Sequence, residues 1–597
     1  MLSRVRSRAS ILAVFGFGSI SLLSSACTET DIDPIVAAPK PLATSAPLSQ
    51  SGPMDVLFVI DDSSSMADKQ QYLGEAAASF LNRLASPSCV DTNHNVVGTS
   101  TDGVCATGAL AYVPVTDIHV GIVSTSLGLG APDDSSQCAN LHAHLVSGIV
   151  TGKQPTLDPK TQVFSWTKGS QDVAQLAKDV SASVIGMGES GCGIEMQLES
   201  WYRFLVQPDP YQKLAWAAGA QESVVYQGID DDLLAQRKAF LRPNSTVAVV
   251  MLTDENDSSI DPLALSGTAW NLLSETFVPP NPTSACATDP TSIACTSCAF
   301  VDSSSDANCA QAPTPSATDA LNTRFFHAKQ RFGVDPQYPV SRYANGLSSP
   351  RVPDRAHEHL SFPLTGELGY VGEPDCDNPL FAAELPANSS EDICNLPRGS
   401  RGASQIFFTV IAGVPHQLLQ QDPLDANSPL KSNLSAADYR TLLGDDPLAY
   451  RFDGVDAHML ESMSPRAGIS AGDPIVLGDW NTKGLQIEHA CTFLLPEPID
   501  QGNPAFAGEC TSSSADDTEN DAAGNPNCAQ DGSQRELYAS ATPAVRELSV
   551  ARALGNQAVV SSICPIHFQI DGADAGTTTS PAISNTTQDP LFGYEPA

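Results

Sequence analysis

Runs of apolar residues along the chain predict the strands of a parallel sheet. Residues 56–60 form a continuous apolar and largely β-branched run, and similar runs occur in 117–128 and 245–257. Between the first two, residues 67–84 place apolar side chains at a helical spacing. Strands that alternate with helical stretches are typical of a parallel α/β sheet. The pattern therefore predicts an α/β fold that begins with the strand at 56–60.

The same pattern resumes twice, late in the chain. Residues 404–415 predict a buried strand that ends in a turn. Residues 535–565 predict a helix, a stop at Gly555 and a last strand at 558–563. Both segments are therefore expected to belong to the sheet that starts near the N-terminus.

Two long polar stretches, 262–401 and 421–534, separate these pieces of the predicted sheet. The first holds six cysteines and many prolines, and the second is rich in Asp, Ser, Gly and Pro. Structureless loops of this length are uncommon in a compact domain, so we expect two disulfide-braced insertions. The sheet domain would then comprise residues 54–261, 402–420 and 535–566.

The N-terminus predicts export. Three arginines precede an apolar stretch, residues 11–23, which is too short to span a bilayer as a stable helix. Small residues follow and lead to Cys27, so residues 1–27 are interpreted as a secretory signal peptide. The end of this peptide resembles a bacterial lipobox, which would make Cys27 a lipidated first residue. Ordinary cleavage after Ala26 is the alternative and would release a secreted protein.

The segments next to the two termini have no hydrophobic period. Residues 28–53 are rich in Pro, Ala, Ser and Thr and predict a flexible tether, and residues 567–597 predict a flexible tail. With a lipid on Cys27, the protein would be an outer-membrane or cell-surface lipoprotein that contacts the membrane only through this anchor.

Charge and cysteine content narrow the possible partners and compartments. The chain has 31 basic and 68 acidic residues, a net charge of −37, which argues against binding to nucleic acid. Of fifteen cysteines, fourteen remain when Cys27 is set aside. An even number in an exported chain indicates up to seven disulfides. A zinc cluster of Cys286, Cys295, Cys298 and Cys309 is the less favoured alternative.

Oxygen-bearing side chains follow two of the predicted strands. Asp61, Ser63 and Ser65 come directly after the first strand at alternate positions, and Asp254 ends the strand near 245–252. The carboxyl ends of parallel strands are where open α/β sheets bind ligands, and hydroxyl and carboxylate oxygens suit Mg²⁺ or Ca²⁺. Helix capping by Asp61 or Ser63 would explain one of these residues but not the whole set.

The Asp61-x-Ser63-x-Ser65 motif, combined with Thr253-Asp254, resembles the metal-ion-dependent adhesion site of the von Willebrand factor type A domain. The resemblance extends to exported bacterial lipoproteins that carry this domain. It implies a Rossmann-like domain with a mainly parallel central sheet flanked by helices. It also implies that Ser63 and Ser65 bind Mg²⁺ or Ca²⁺ directly, that Asp61 and Asp254 hold its waters, and that an acidic group of a partner completes the shell.

The third loop of the site departs from the family pattern. This family normally supplies a threonine, but the matching Gly-rich segment, residues 186–200, contains none. We expect Ser190 to provide the third ligand. Glu189 is the alternative, and its charge would weaken the attraction for a partner's carboxylate and favour Ca²⁺.

These features predict a cell-surface or secreted binding protein, used in adhesion, that is not an enzyme. Its partner would be a protein or another ligand bearing an acidic group. A secreted hydrolase with its active site in an insertion is one alternative, although the sequence offers no strand-supported nucleophile with a His and an acid nearby. An envelope scaffold in which the metal only stiffens the fold is the other.

Overall fold

The computed structural model describes most of the chain from residue 52 to residue 594. The residues left out are 93–95, 102, 133–139, 275, 314, 316–318, 362–367, 426–427, 470–477, 501–509, 511–524, 530, 532, 565–567, 571–582 and 589–593. The predicted signal peptide, the lipidation site Cys27 and all but the end of the tether lie outside the described residues.

Seven strands form the central sheet. In chain order they are β1 (Met54–Ile60), β2 (Asp117–Ser124), β3 (Leu157–Asp158), β4 (Val163–Thr167), β5 (Thr246–Leu252), β6 (Ile406–Ala412) and β7 (Ala558–Ser562). Their order across the sheet is β7-β6-β5-β1-β2-β4-β3. The first five strands in this order are mutually parallel, whereas β4 and β3 run antiparallel at one edge. The predicted α/β class and mainly parallel sheet are confirmed.

The strand order reverses at β1. The chain leaves β1 for β2 on one side and later returns to β5 on the other, where Ile60 is in register with Leu252. In doubly wound sheets the crevice at such a reversal is the usual ligand site. The loops that follow β1 and β5 therefore lie side by side at this crevice, in a Rossmann-like arrangement.

Helices cover both faces of the sheet. The longer ones are α1 (Gln70–Ala85), α2 (Val173–Ile185), α3 (Gln197–Leu205), α4 (Asp231–Phe240), α5 (Val340–Ser348), α6 (Ala436–Leu443) and α7 (Val545–Leu554), and three short ones are Ala264–Gly267, Ala328–Phe332 and His416–Leu419. Helices α1 and α2 pack on one face, and α3, α4, α5 and α7 contribute to the core on the other. Gly74 lets α1 approach α2 closely, since a Cβ there would lie 2.6 Å from Ile185.

Strand β1 is buried on both sides, which explains its unbroken apolar sequence. Val56, Phe58 and Ile60 face α1 and α2, while Leu57 and Val59 face α3 and α4. None of the five side chains is more than 1% exposed. Each stabilises the fold by about 1.5–3 kcal/mol, so this strand is a main source of the stability of the sheet.

The predicted helix starting at residue 535 is wrong in its first part. Arg535–Ala541 forms a strand that pairs antiparallel with Cys491–Asp500, and α7 begins only at Val545. Pro543 disfavours helical geometry in the residue before it, so a single helix does not run through this point. Phe493 lies in the same apolar core as α1 and α2, so the second insertion contributes to the sheet domain.

Small antiparallel pairings complete the described secondary structure. They join Ser88–Val90 with Val96–Thr99 and Ala109–Leu110, Lys213–Ala217 with Ala220–Gln227, Arg351–Val352 with Cys376–Asp377, His359–Ser361 with Leu368–Tyr370, and Phe568–Ile570 with Ile583–Gln588. The last pair belongs to the predicted tail. Beyond it Tyr594 is buried and donates a 2.9 Å hydrogen bond to Asp456, so this part of the tail is held against the second insertion.

Disulfides brace both insertions and the sheet domain. The described pairs are Cys89–Cys105, Cys286–Cys295, Cys298–Cys309, Cys376–Cys394, Cys491–Cys564 and Cys510–Cys528, and Cys192 is also disulfide-bonded. The four cysteines of the alternative zinc cluster thus form two disulfides. So many disulfides suggest an extracellular protein. Among the described residues, every helix is too short or too polar to cross a membrane.

Candidate metal centre

The loop after β1 brings its oxygen-bearing side chains together. Asp61 is fully buried, and its Oδ1 accepts hydrogen bonds from the backbone N–H of Ser63 at 3.0 Å and from the Ser63 hydroxyl at 2.6 Å. The hydroxyls of Ser63 and Ser65 lie 3.0 Å apart. Three side chains at alternate positions therefore present oxygens to one region at the end of the strand.

Helix capping does not account for these residues. A 3₁₀ turn, Ser64–Asp68, separates them from α1, which begins at Gln70. Ser63 precedes this turn but accepts no capping hydrogen bond through its side chain, and Lys69, which precedes α1, makes none either. The side chains of Asp61 and Ser63 are directed to each other and to the neighbouring loop.

The loop after β5 supplies the second half of the cluster. The Ser65 hydroxyl donates to Asp254 Oδ1 at 3.1 Å, and the Thr253 hydroxyl donates to Asp61 Oδ2 at 2.7 Å. Gln197, at the start of α3, in turn donates to the Thr253 hydroxyl at 2.9 Å. Four of the residues predicted as metal ligands, Asp61, Ser63, Ser65 and Asp254, are thus joined by hydrogen bonds.

The third loop of the predicted site, within residues 186–200, does not bring its predicted ligands to the cluster as the loops after β1 and β5 do. Ser190 is exposed and Glu189 is half-buried. In the part of the chain that the structure describes, neither residue is hydrogen-bonded to the four joined residues. The involvement of Ser190 or Glu189 as a ligand therefore stays a prediction.

Glu195 is an acidic residue of the 186–200 segment whose carboxyl group interacts electrostatically with the cluster. Its carboxyl group is buried, and burial together with the charges of Glu255 and Asp61 raises its pKa well above the ordinary value. A protonated Glu195 would not repel the neighbouring carboxylates. No motif in the sequence distinguished this residue as part of the site.

Asp62 fixes the third loop to the first. Its carboxylate accepts hydrogen bonds from Ser124 and Ser126, each at 2.8 Å, and its backbone carbonyl accepts from the N–H of Gly191 at 2.7 Å. A Cβ on Gly191 would lie 2.3 Å from the Asp62 carboxylate, so only glycine fits there. The sequence motif includes Asp62 but did not indicate this positioning role.

The cluster carries more negative charge than its hydrogen bonds balance. Burial and the charge of Asp254 raise the pKa of Asp61 to about 7, although hydrogen bonds from Ser63 and Thr253 oppose this shift. Two neighbouring buried carboxyl groups disfavour each other's ionised form. A cation placed between them would relieve this repulsion, so the electrostatics favour cation binding.

A cation of the protein itself already contacts the cluster. The ammonium of Lys69 lies 3.0 Å from Asp254 Oδ2 and donates to the carbonyl oxygen of Ser65 at 3.0 Å. The side chains of Lys69 and Asp254 are each 4% exposed. The sequence did not indicate this role, because a lysine next to a helix start is usually a solvated residue. The ammonium contacts a carboxylate and a carbonyl oxygen, and oxygen atoms of these kinds, together with the hydroxyls of the cluster, are ligand types that suit Mg²⁺ or Ca²⁺.

The site opens into a cleft whose walls come from both insertions. Ser65 and Asp254 lie in this cleft, which encloses about 830 Å³, part of it continuous with solvent. Asn322, Phe325 and Phe326 of the first insertion and Glu461, Gln486, Ile487 and His489 of the second line it. The backbone N–H of Thr542 donates to the carbonyl of Asp254 at 2.8 Å and ties the segment that follows the second insertion to the site.

One of the acidic residues that follow Asp254 has a structural role. Asp257 is buried and accepts hydrogen bonds from the N–H of Leu198 at 2.9 Å and from Arg546 Nε at 3.0 Å. It is therefore a buried ion-pair partner that joins the β5 loop to α3 and α7. A run of acidic residues usually indicates a solvated loop, which does not describe this residue.

Comparison of the chain with protein-family models, with curated proteins and with solved structures found no match. The evidence for the Rossmann-like α/β domain is the strand order and register. The evidence for a cation site is the geometry and charge of the cluster.

Proposed function

We propose that the protein is an extracellular binding protein of the von Willebrand factor type A class, which uses a divalent cation to hold an acidic group of a partner. The observation that carries the proposal is the contact between the loops after β1 and β5. Ser65 bonds to Asp254 at 3.1 Å, at the point where the strand order reverses. Two loops far apart in sequence thus bring four ligand-type side chains together, and two of these, Ser65 and Asp254, line the cleft.

Each residue of the cluster has a role in this proposal. Ser63 and Ser65 would bind Mg²⁺ or Ca²⁺ through their hydroxyls, and Asp61 and Asp254 would orient its waters and balance its charge. Neutral hydroxyl ligands leave the charge of a divalent ion largely unbalanced, so the ion attracts a further carboxylate. The partner's carboxylate would take the coordination position that the protein leaves open. Thr253 and Gln197 would keep Asp61 oriented through their chain of hydrogen bonds.

The cleft supports recognition of a partner by the insertions. Phe325 and Phe326 offer aromatic surface and Glu461 and Gln486 offer polar groups beside the cation site. Aromatic side chains combined with a few polar groups are common in binding sites. The insertions would therefore select the partner, and the cation would hold its acidic group.

The cation part of the proposal is tested with Mn²⁺ as a paramagnetic substitute. Relaxation of water protons increases when a protein-bound Mn²⁺ keeps exchangeable waters. We expect wild type to give this increase and to lose part of it when glutarate is added, because a carboxylate replaces water. A double variant, Asp61→Asn with Asp254→Asn, should give neither response.

A matched control for this test lies in the first insertion. Asp302 and Ser304 have the same Asp-x-Ser spacing and hydrogen bonds but are exposed. Asp302→Asn should respond as wild type does. Wild type that fails to bind Mn²⁺ would contradict the proposed cation site, and binding without any effect of glutarate would contradict an open position for a carboxylate.

A further inference from the structure

Lys69 is a basic side chain that contacts two of the ligand-type residues of the site. Its ammonium is 3.0 Å from Asp254 Oδ2 and 3.0 Å from the carbonyl oxygen of Ser65. Both of these residues belong to the proposed cation shell. The ammonium and a divalent ion would thus compete for the carboxylate of Asp254.

The local backbone holds Lys69 in this place. In the 3₁₀ turn Ser64–Asp68, the N–H of Met66 donates to the carbonyl of Ser63 at 3.2 Å, and the N–H of Lys69 donates to the carbonyl of Met66 at 2.9 Å. Met66 is fully buried and anchors the turn. The turn that presents Ser65 therefore also aims Lys69 at the site.

Burial makes this lysine unusual. Lysine is almost never fully buried unless its charge is paired, and Lys69 is 3% exposed. The carboxylate that it contacts, Asp254, interacts electrostatically with a second one, that of Asp61. The acidic cluster therefore provides the charge that allows Lys69 to be buried.

We propose that Lys69 is the internal cation of the site and sets its affinity for divalent ions. In the absence of metal the ammonium neutralises Asp254 and keeps Ser65 in place. A divalent ion would bind with its full set of ligands only when the ammonium moves away, because two cations in one buried cluster repel each other strongly. The flexible stem of lysine permits such a movement. This inference rests on the proposed cation site.

The first test compares affinities for the metal ion alone. Isothermal titration with Mg²⁺, Ca²⁺ and Mn²⁺ would be performed on full-length wild type, Lys69→Met and Lys69→Arg. We expect Lys69→Met to bind at least one of these ions about tenfold or more tightly than wild type, because the competing charge is gone. Lys69→Arg keeps the charge and should bind no more tightly than wild type. Lys178→Met, on the exposed side of α2, should match wild type.

The outcomes separate the inference from the proposed function. Equal or weaker binding by Lys69→Met, with wild type binding metal, would overturn the role of Lys69 and leave the cation site intact. Binding by Lys69→Met alone would support Lys69 as the competing cation and overturn a metal-dependent function of wild type. Failure of both proteins to bind would overturn the proposed function and the competition together.

A second measurement guards against a folding defect in Lys69→Met. Thermal unfolding of wild type, Lys69→Met, Asp254→Asn and the double variant gives the coupling between the two side chains. In EDTA we expect Lys69→Met to lower the melting temperature in wild type but much less in Asp254→Asn. With saturating metal, the effect of Lys69→Met on the melting temperature should disappear in the protein that keeps Asp254. A coupling that persists unchanged in metal would overturn displacement of the ammonium.

Discussion

The chain forms the same local turn in two places, and only one of them becomes a candidate site. Ser63 donates to Asp61 through its N–H at 3.0 Å and its hydroxyl at 2.6 Å. Ser304 donates to Asp302 in the same way, at 2.9 Å and 2.8 Å. The Asp-x-Ser sequence is therefore sufficient for the turn, since Asp side chains readily bond to the backbone two residues on.

The surroundings of the two turns differ completely. Asp302 is exposed, and hydrogen bonds from Ser304 lower its pKa. Asp61 is buried beside Asp254, and its pKa is raised to about 7. The comparison shows that the turn by itself only presents oxygen atoms. Burial and a second carboxylate add the unbalanced negative charge that favours binding of a cation.

Removal of the carboxylate should have the largest effect. The folded-state pKa of Asp61, about 7, lies above its ordinary value of 3.8. Without metal, its contribution to stability is thus complete below about pH 4. That contribution is lost as the pH rises to about 7. In EDTA we expect Asp61→Asn to be more stable than wild type at pH 8 by about 2–4 kcal/mol, a difference that vanishes near pH 4.

Urea unfolding followed by tryptophan fluorescence across this pH range measures the difference between the two proteins. Asp302→Asn should behave in the opposite sense, because a lowered pKa contributes stability above the ordinary value and loses it as the pH falls. If the stability of wild type does not decline relative to that of Asp61→Asn between pH 4 and pH 7, the raised pKa of the buried Asp61 is contradicted.

A change in the support of the Asp61 turn should have an intermediate effect. Gly191→Ala would place a Cβ 2.3 Å from the carboxylate of Asp62 and 2.6 Å from the hydroxyl of Ser126. We expect a loss of about 1–3 kcal/mol in the free energy of unfolding, because the loop has to move. Gly193→Ala is the control, since no atom lies within 4 Å of its added Cβ. Similar urea midpoints for the two variants would contradict the packing of the third loop against Asp62.

Loss of a single hydroxyl should have the smallest effect on stability. Ser63→Ala removes one buried hydrogen bond to Asp61, and we expect a cost of about 1 kcal/mol in EDTA. It should also reduce the rise in melting temperature on addition of Mg²⁺ or Ca²⁺. Ser304→Ala, in the exposed turn, should change neither quantity. Equal responses of these two variants to metal would remove the distinction between the turns.

Much of the sheet was predictable from its sequence. The buried runs that became β1, β2, β5 and β6 are continuous and apolar because parallel strands are covered on both faces. The edge strands β3 and β4 were missed, since they are short and one face is partly exposed. The strand at Arg535–Ala541 was taken as part of a helix because its apolar residues also fit a helical window.

The candidate site was predictable only where it follows the strand ends. Asp61, Ser63, Ser65 and Asp254 stand directly after apolar runs, so their convergence follows from a parallel sheet. Lys69 and Glu195 carry no such mark, because a charged residue near a helix start is usually solvated. Their surroundings include residues distant in the chain, Asp254 for Lys69 and Glu255 for Glu195, and the sequence pattern does not reveal this proximity.

The sequence by itself determined the local pieces: the buried strands, the two Asp-x-Ser turns, and an even set of cysteines in a chain with a predicted export signal. These follow from side-chain periodicity, hydrogen bonding between near neighbours and composition. Only the tertiary structure decided that the turn at Asp61 meets Asp254 and Lys69 in a buried cluster. The unbalanced negative charge that favours a cation depends on burial and on charged residues distant in the chain. Both are properties of the packed molecule.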